Sequence, residues 1–304
     1  MRFVCTQENL LEGLARVAPL SGRNTQLPAL QHALLEVKDG VLYLTCTDLE
    51  VGARVVVAGK AEREGSCTAV ARQLLDFVQQ LPSANPVVIE LKKKRLQVTT
   101  KDFAAQFPIA AADDFPLLPS RPQAKAVELD GRMFCQALEQ TMFAAARDES
   151  RPEIHSVFVS GEEDGIRVVG TDSFRLAEYV VPLPPAGDFS FLLPVAAAGE
   201  VSRLFADSEG VAILKEENYV VFQNEKLYVS SRLVDGAYPD YRQIIPTSFA
   251  AEGSVRRDDL LRALKILSVF LPRDSRRVTV EVNPEKDVQD LTVKLAAKVL
   301  KEML

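Results

Sequence analysis

The sequence predicts an α+β protein assembled from tandem copies of one unit, in which a helix alternates with antiparallel strands twice over. Three observations carry that expectation. An apolar helical register recurs at Leu10, Leu11 and Leu14, at Phe134, Cys135 and Leu138, and at Leu260, Leu261 and Leu264, with starting points 124 and 126 residues apart. Each set has the i, i+1, i+4 spacing of a helix stripe that faces a core. Two strand–turn–strand stretches, HALLEVKDGVLYLTCTD and SVFVSGEEDGIRVVGTD, both carry an Asp-Gly turn signal and both end in Thr-Asp. Connections this short join antiparallel strands, because parallel pairing needs a long crossover. Helices segregated to one face of antiparallel sheets suit this order better than a parallel α/β sheet.

The elements follow in order. Thr6 and Asp130 stand just before the first two stripes as N-caps, since their side-chain oxygens can accept from a free backbone N–H of the first turn. Each hairpin then turns at Asp39-Gly40 or Asp164-Gly165. Second helices are predicted over 71–82 and 194–207, with Leu74, Leu75, Val78 and Leu81 matching Ala197, Ala198, Val201 and Leu204. Paired strands follow in PVVIELKKKRLQVTT and GVAILKEENYVVFQN, and the units close on Phe115-Pro116 and Tyr238-Pro239. Proline-rich joints at 117–123 and 244–248 place domain boundaries at 1–121, 122–247 and 248–304. The third unit opens with a helix over 258–271 and a strand over 276–283. It covers less than half a period, and a fragment that short buries a poor share of its surface unless it docks on something. The last stretch, from 287 on, reads as a short strand running into a helix.

Composition narrows the function. A net charge of −6 argues against a protein that coats nucleic acid by bulk attraction, although basic residues can still be gathered on one surface. No apolar run approaches the length of a membrane span, and the N-terminus lacks the pattern of a signal peptide. Cys5, Cys46, Cys67 and Cys135 lie far apart, which reads as reduced thiols in a cytoplasmic protein. Two histidines, His32 and His155, are a thin inventory for acid–base work. No clustered metal ligands, GxxxxGK[ST] or GxGxxG appear, so no metal or cofactor is expected. Asp235 and Asp240 look like a carboxylate pair, but their Gly and Pro neighbours mark a turn. The expectation is a protein that is not an enzyme.

Four strings then become specific. SGRNTQLPALQHALLEV (21–37), ESRPEIHSVFVSG (149–161), GTDSFRLAEY (170–179) and SRLVDGAYPDYRQIIP (231–246) strongly resemble, in order and spacing, the bacterial DNA polymerase III β subunit, the sliding clamp family. The resemblance covers about residues 1–285 and implies the DNA-clamp fold, a head-to-tail homodimer ring around duplex DNA with helices lining the hole. It implies a processivity factor that tethers the polymerase, binds DNA without regard to sequence, and meets the polymerase catalytic subunit, the clamp loader and repair proteins through a shared peptide motif. By correspondence, Arg23, Arg72, Arg147 and Arg242 fall at DNA-contact positions, as phosphate contacts that position rather than read. Val195 and Ala196 stand where the family often has a basic pair, Gln243 follows Arg242, and Asp148 and Glu149 dilute the charge of Arg147 and Arg151. The apolar peptide pocket corresponds to Ile154, Thr171, Ser173, Phe174, Arg175, Leu176, Pro239 and Ile244. A groove of this kind suits an extended peptide anchored by one or two large apolar residues. Ring closure corresponds to Ile266 and Leu267, with Phe107 as their counterpart on the first domain. Because the third unit is short, an alternative expectation is a non-encircling adaptor that keeps the peptide pocket.

Overall fold

The structure is a computed structural model that describes residues 1–22, 27–83, 85–183, 187–245, 248 and 254–270. Arg23, the strand expected over 276–283 and the terminal strand and helix lie outside the described residues. The chain forms two compact units, Met1–Tyr238 and Pro239–Leu304.

The first unit holds both full repeats. The first repeat runs β1 (Arg2–Cys5), α1 (Gln7–Val17), β2 (His32–Lys38), β3 (Val41–Thr47), β4 (Val51–Val57), β5 (Lys60–Arg63), β6 (Gly65–Val70), α2 (Ala71–Gln79), β7 (Val87–Lys92), β8 (Arg95–Thr99) and β9 (Ala104–Pro108). The second runs β10 (Val127–Asp130), α3 (Gly131–Met142), β11 (Ser156–Glu162), β12 (Gly165–Thr171), β13 (Leu176–Pro182), β14 (Phe189–Pro194), α4 (Val195–Phe205), β15 (Gly210–Lys215), β16 (Tyr219–Gln223) and β17 (Leu227–Arg232). Both expected caps form: Thr6 accepts from the Asn9 N–H at 3.2 Å and Asp130 from the Met133 N–H at 3.0 Å. The second helices are shorter than expected, because Pro82 and the polar Asp207-Ser208 pair favour non-helical backbone after the apolar stripe ends.

Three antiparallel sheets result. Their orders are β5-β1-β7-β8-β9, β14-β11-β12-β13, and an eight-stranded β10-β15-β16-β17-β4-β3-β2-β6. The eight-stranded sheet belongs to both repeats. It is joined where β17 pairs with β4, from Leu227↔Val55 to Ser231↔Val51. The helices are paired as α1 on α2 and α3 on α4. Arg203 of α4 donates from Nη2 to the Arg16 carbonyl at the end of α1, at 2.7 Å, so helices of both repeats meet on one side of the unit.

Alternating burial explains the core. Leu35 and Val37 of β2, and Leu42 and Leu44 of β3, point inward with Leu10 and Leu14 of α1. In the second repeat Phe134 stacks on Phe222 at 5.8 Å, and Phe205 is fully buried. All four cysteines are free and buried. Burial pushes the thiols of Cys5 and Cys135 up to about 12 and that of Cys67 up to about 11, and raises that of Cys46.

The two hairpin turns differ. The first hairpin turns at Asp39-Gly40, both in left-handed backbone at φ 50° and 83°, as Asp-Gly predicts. The second turns one residue earlier than its Asp-Gly suggests. Glu162 pairs with Gly165, so Glu163 and Asp164 form the turn. Gly165 takes φ 141°, where a Cβ would meet the Val181 carbonyl oxygen at 2.1 Å. Its glycine serves close strand packing rather than the turn itself.

The second unit contains a single 3₁₀ turn at Tyr241–Ile244 and α5 (Arg257–Ser268) among its described residues. The Leu260–Leu264 stripe was expected to face a core. None of the α5 side chains is buried, and Leu261 is 45% exposed. A helical stripe reports which face is apolar, and a partner must still cover it.

Candidate functional site

Five of the predicted pocket residues, Thr171 and Ser173–Leu176, lie on the loop from β12 to β13 or on the strand ends that flank it. Thr171 is buried and its hydroxyl donates to the Arg175 carbonyl at 2.8 Å, while its oxygen accepts from the Ser173 N–H at 3.2 Å. Asp172 accepts from the Phe174 and Arg175 N–H groups at 3.0 and 2.9 Å. The Thr-Asp pair therefore replaces the strand ladder with side-chain acceptors, as Asx and hydroxyl turns do. Ser173 is held at φ 73°, which costs a non-glycine residue energy and aims Phe174 outward. Phe174 is 97% exposed, and Leu176 is half-buried at the start of β13.

Two side chains outside the predicted set brace this loop. Arg151 donates from Nη1 to the Ser173 hydroxyl at 3.2 Å. The Arg175 guanidinium stands 5.6 Å from the centre of the exposed Phe143 ring. Phe143 gave a sequence signal only in being an aromatic just past an amphipathic helix. Ile154 is 2% exposed and accepts at its carbonyl from the Ala146 N–H, so it lies beneath the surface. The Thr171 hydroxyl is consumed within the loop, so its part in such a surface is to shape it. Pro239 and Ile244 belong to the second unit, where Ile244 is 66% exposed.

Asp172 reports the loop's integrity. Burial alone would raise its pKa, but the backbone N–H bonds from Arg175 and Phe174 and the Arg175 guanidinium outweigh it and hold the carboxyl below its usual value. A depressed carboxyl contributes stability in full above the unfolded pKa of about 4 and loses it as pH falls through the folded value. The stability difference between wild type and Asp172→Asn, measured by urea unfolding, should shrink steadily from pH 5 to pH 2. A difference independent of pH would refute this assignment.

Among the basic candidates, Arg72 occupies the second position of α2 with its side chain 75% exposed, bonded to Asp76 at 3.1 Å. A cation at a helix N-terminus opposes the helix dipole, and an exposed ion pair of this kind recovers only a few tenths of a kcal/mol. Local helix energetics therefore do not account for an arginine here. Arg147 is exposed in the segment after α3. Arg242 lies in the second unit, its guanidinium 5.9 Å from the Tyr241 ring centre. Arg203, which sequence reasoning passed over, is committed to the Arg16 carbonyl and to Glu200.

The ring-closure candidates divide. Ile266 is 58% exposed and Leu267 half-buried on α5. Phe107 faces the core of its own repeat. It is 8% exposed and packs edge-on against Phe77 of α2 at 5.6 Å, while Ala104, Gln106 and Pro108 are the exposed residues of β9. The period-two alternation of a strand puts it on the core face.

Both imidazoles serve structure. His155 Nδ1 lies 2.7 Å from the Ala146 carbonyl, and His32 Nδ1 lies 3.0 Å from the Thr68 hydroxyl. Among the described residues no His, Cys, Asp and Glu group could hold a metal, and no helix is long and apolar enough to cross a membrane.

Known proteins match this architecture along most of its length. The family description for the N-terminal domain of the DNA polymerase III β subunit matches residues 1–119, and that for its central domain matches residues 128–240. The β sliding clamp of Synechococcus elongatus is 30% identical over 301 residues, covering 96% of this chain and 80% of the relative. The chain belongs to the β sliding clamp family. The clamp of Pseudomonas putida is 31% identical over 253 residues, covering 81% of this chain and 68% of its own. Among solved structures, the Pseudomonas aeruginosa sliding clamp bound to griselimycin superposes with a TM-score of 0.84 at 25% identity, covering 93% of this chain and 78% of that one. The Bacillus subtilis clamp gives the same TM-score at 24% identity, a likeness of fold. For a clamp, the junction of β17 with β4 is where one domain continues into the next, and the Arg203–Arg16 bond ties their helices together.

Proposed function

We infer that this clamp is a DNA polymerase processivity factor that encircles duplex DNA as a head-to-tail homodimer. Its partners take hold through a short apolar motif, a Gln followed by Leu and Leu-Phe. The observation that carries the reading is the continuous eight-stranded sheet across two repeats whose helices meet on one side, in a chain whose relatives are sliding clamps. A sliding ring needs few phosphate contacts, which accords with a net charge of −6 and scattered exposed arginines. Arg72, Arg147 and Arg242 are the proposed phosphate contacts among the described residues, with Arg23 proposed from the family correspondence. The peptide surface is proposed on Thr171–Leu176, with Phe174 and Leu176 as its apolar part. Pro239, Ile244, Ile266 and Leu267 enter the proposal through the family correspondence, as do domain boundaries near 121 and 247 and a cytoplasmic location. The adaptor alternative is not favoured by these relatives.

Loading onto circular DNA tests the reading. With its loader, the protein should remain on nicked circular duplex through gel filtration and leave when the circle is linearised. Arg72→Glu combined with Arg147→Glu should cut the retained amount by about 10-fold at moderate salt. Equal loss from circular and linear DNA would sink the encircling mechanism.

A further inference from the structure

We propose that Leu118 is a built-in ligand that fills the first repeat's copy of the peptide-binding surface, so that two repeats present one open site instead of two. The inference rests on the peptide-binding reading of the Thr171–Leu176 loop and extends it to the loop's counterpart.

The two loops are the same object. Thr47 donates its hydroxyl to the Val51 carbonyl at 2.9 Å and accepts from the Leu49 N–H at 3.0 Å. Asp48 accepts from the Glu50 and Val51 N–H groups at 3.0 and 2.7 Å. Leu49 sits at φ 81°, as Ser173 does at φ 73°. Each loop is closed by the first strand pair beyond it, Thr47↔Gly52 in one repeat and Thr171↔Leu176 in the other. Glu50 thus corresponds to Phe174, and Gly52 to Leu176.

The difference lies at that last position. A Cβ on Gly52 would fall 2.2 Å from Leu118 Cδ2 and 3.2 Å from Thr47 Oγ1. Position 52 has no room for a side chain, because a methyl of the linker occupies the space. The insertion is selective, since Leu118 is half-buried while its neighbour Leu117 is 91% exposed. Two tyrosine side chains hold the backbone of the same segment: the Tyr228 hydroxyl donates to the Pro119 carbonyl and the Tyr219 hydroxyl to the Ser120 carbonyl at 3.5 Å. The Arg232 N–H donates to the Glu50 carbonyl at 2.9 Å, a main-chain bond from the second repeat to this loop.

An extended segment, one leucine anchor and a few main-chain bonds are what a bound apolar motif would supply. Supplied in cis, they act at a local concentration of order millimolar, which a free peptide cannot match. In the second repeat, Leu176 stands where the first has Gly52, and Phe174 beside it is exposed.

Titration of the full chain with the pentapeptide Gln-Leu-Ser-Leu-Phe, read by calorimetry, tests this. Wild type should bind one equivalent. Leu118→Ala should bind two, and Leu118→Ala with Leu176→Asp one, now at the first repeat. A Leu118→Ala protein that still binds one equivalent, and none once Leu176→Asp is added, would overturn the proposal. Wild-type binding untouched by Leu176→Asp would instead sink the underlying reading of the 171–176 loop. Hydrogen exchange separates the two failures because it needs no peptide. Gly52→Leu should expel Leu118 and speed exchange of the 117–121 amides by roughly 10-fold or more, while Leu176→Gly leaves it unchanged. Unaltered exchange in Gly52→Leu would overturn the seating of Leu118 directly.

Discussion

Phe174→Asp combined with Leu176→Asp should weaken binding of a motif peptide by about 30-fold or more while leaving the folded state intact. Large apolar anchors at a peptide surface are typically worth about 2 kcal/mol each when truncated, and a carboxylate adds the cost of burying charge against an apolar ligand. The two side chains contribute little to folding. Phe174 is 97% exposed, Leu176 is half-buried, and the loop's conformation is set by Thr171, Asp172 and backbone groups that the double variant keeps. Fluorescence anisotropy with a labelled peptide gives the affinity, and circular dichroism shows whether the fold survives. Unchanged affinity in a folded double variant would place the peptide surface elsewhere. Phe143→Ala provides the graded comparison, because Phe143 meets the loop at the Arg175 guanidinium.

Phe134→Ala should destabilise the clamp by about 3–5 kcal/mol, the range for truncating a fully buried aromatic. Phe134 is fully buried on α3 and stacks on Phe222 of β16, so its removal leaves a cavity where helix meets sheet and strips Phe222 of its aromatic neighbour. Against a typical domain stability of 5–15 kcal/mol this is a large fraction, and urea unfolding should show a clear fall in midpoint. Phe143→Ala, at an exposed aromatic nine residues away, should change stability by no more than about 0.5 kcal/mol. Similar losses at the two positions would mean that the second-repeat core is not organised around this stack.

Legibility in the sequence follows the range of the interactions involved. Caps, turns and helix stripes depend on residues a few positions apart, and those readings stand at Thr6, Asp130, Asp39-Gly40 and the paired stripes of α2 and α4. The second turn slipped by one residue because Asp-Gly is a turn signal that also satisfies a close approach, here of Val181 to Gly165. In the candidate site, the loop 171–176 was legible as a motif. That Arg151 and Phe143 would brace it was not, since both are brought there by the packing of the segment after α3 against a strand end.

Period, polarity and local chemistry in the amino-acid order were enough to establish a duplicated helix-and-sheet unit, its turns, and the loop that carries the apolar surface. They were silent on which face of β9 Phe107 would take, on Ile154 lying beneath the surface it was expected to form, and on Leu118 lodging against Gly52. Those outcomes depend on strand register and on chain segments dozens of residues apart competing for the same space. Volume exclusion of that kind acts between atoms in three dimensions, and one-dimensional spacing does not encode it.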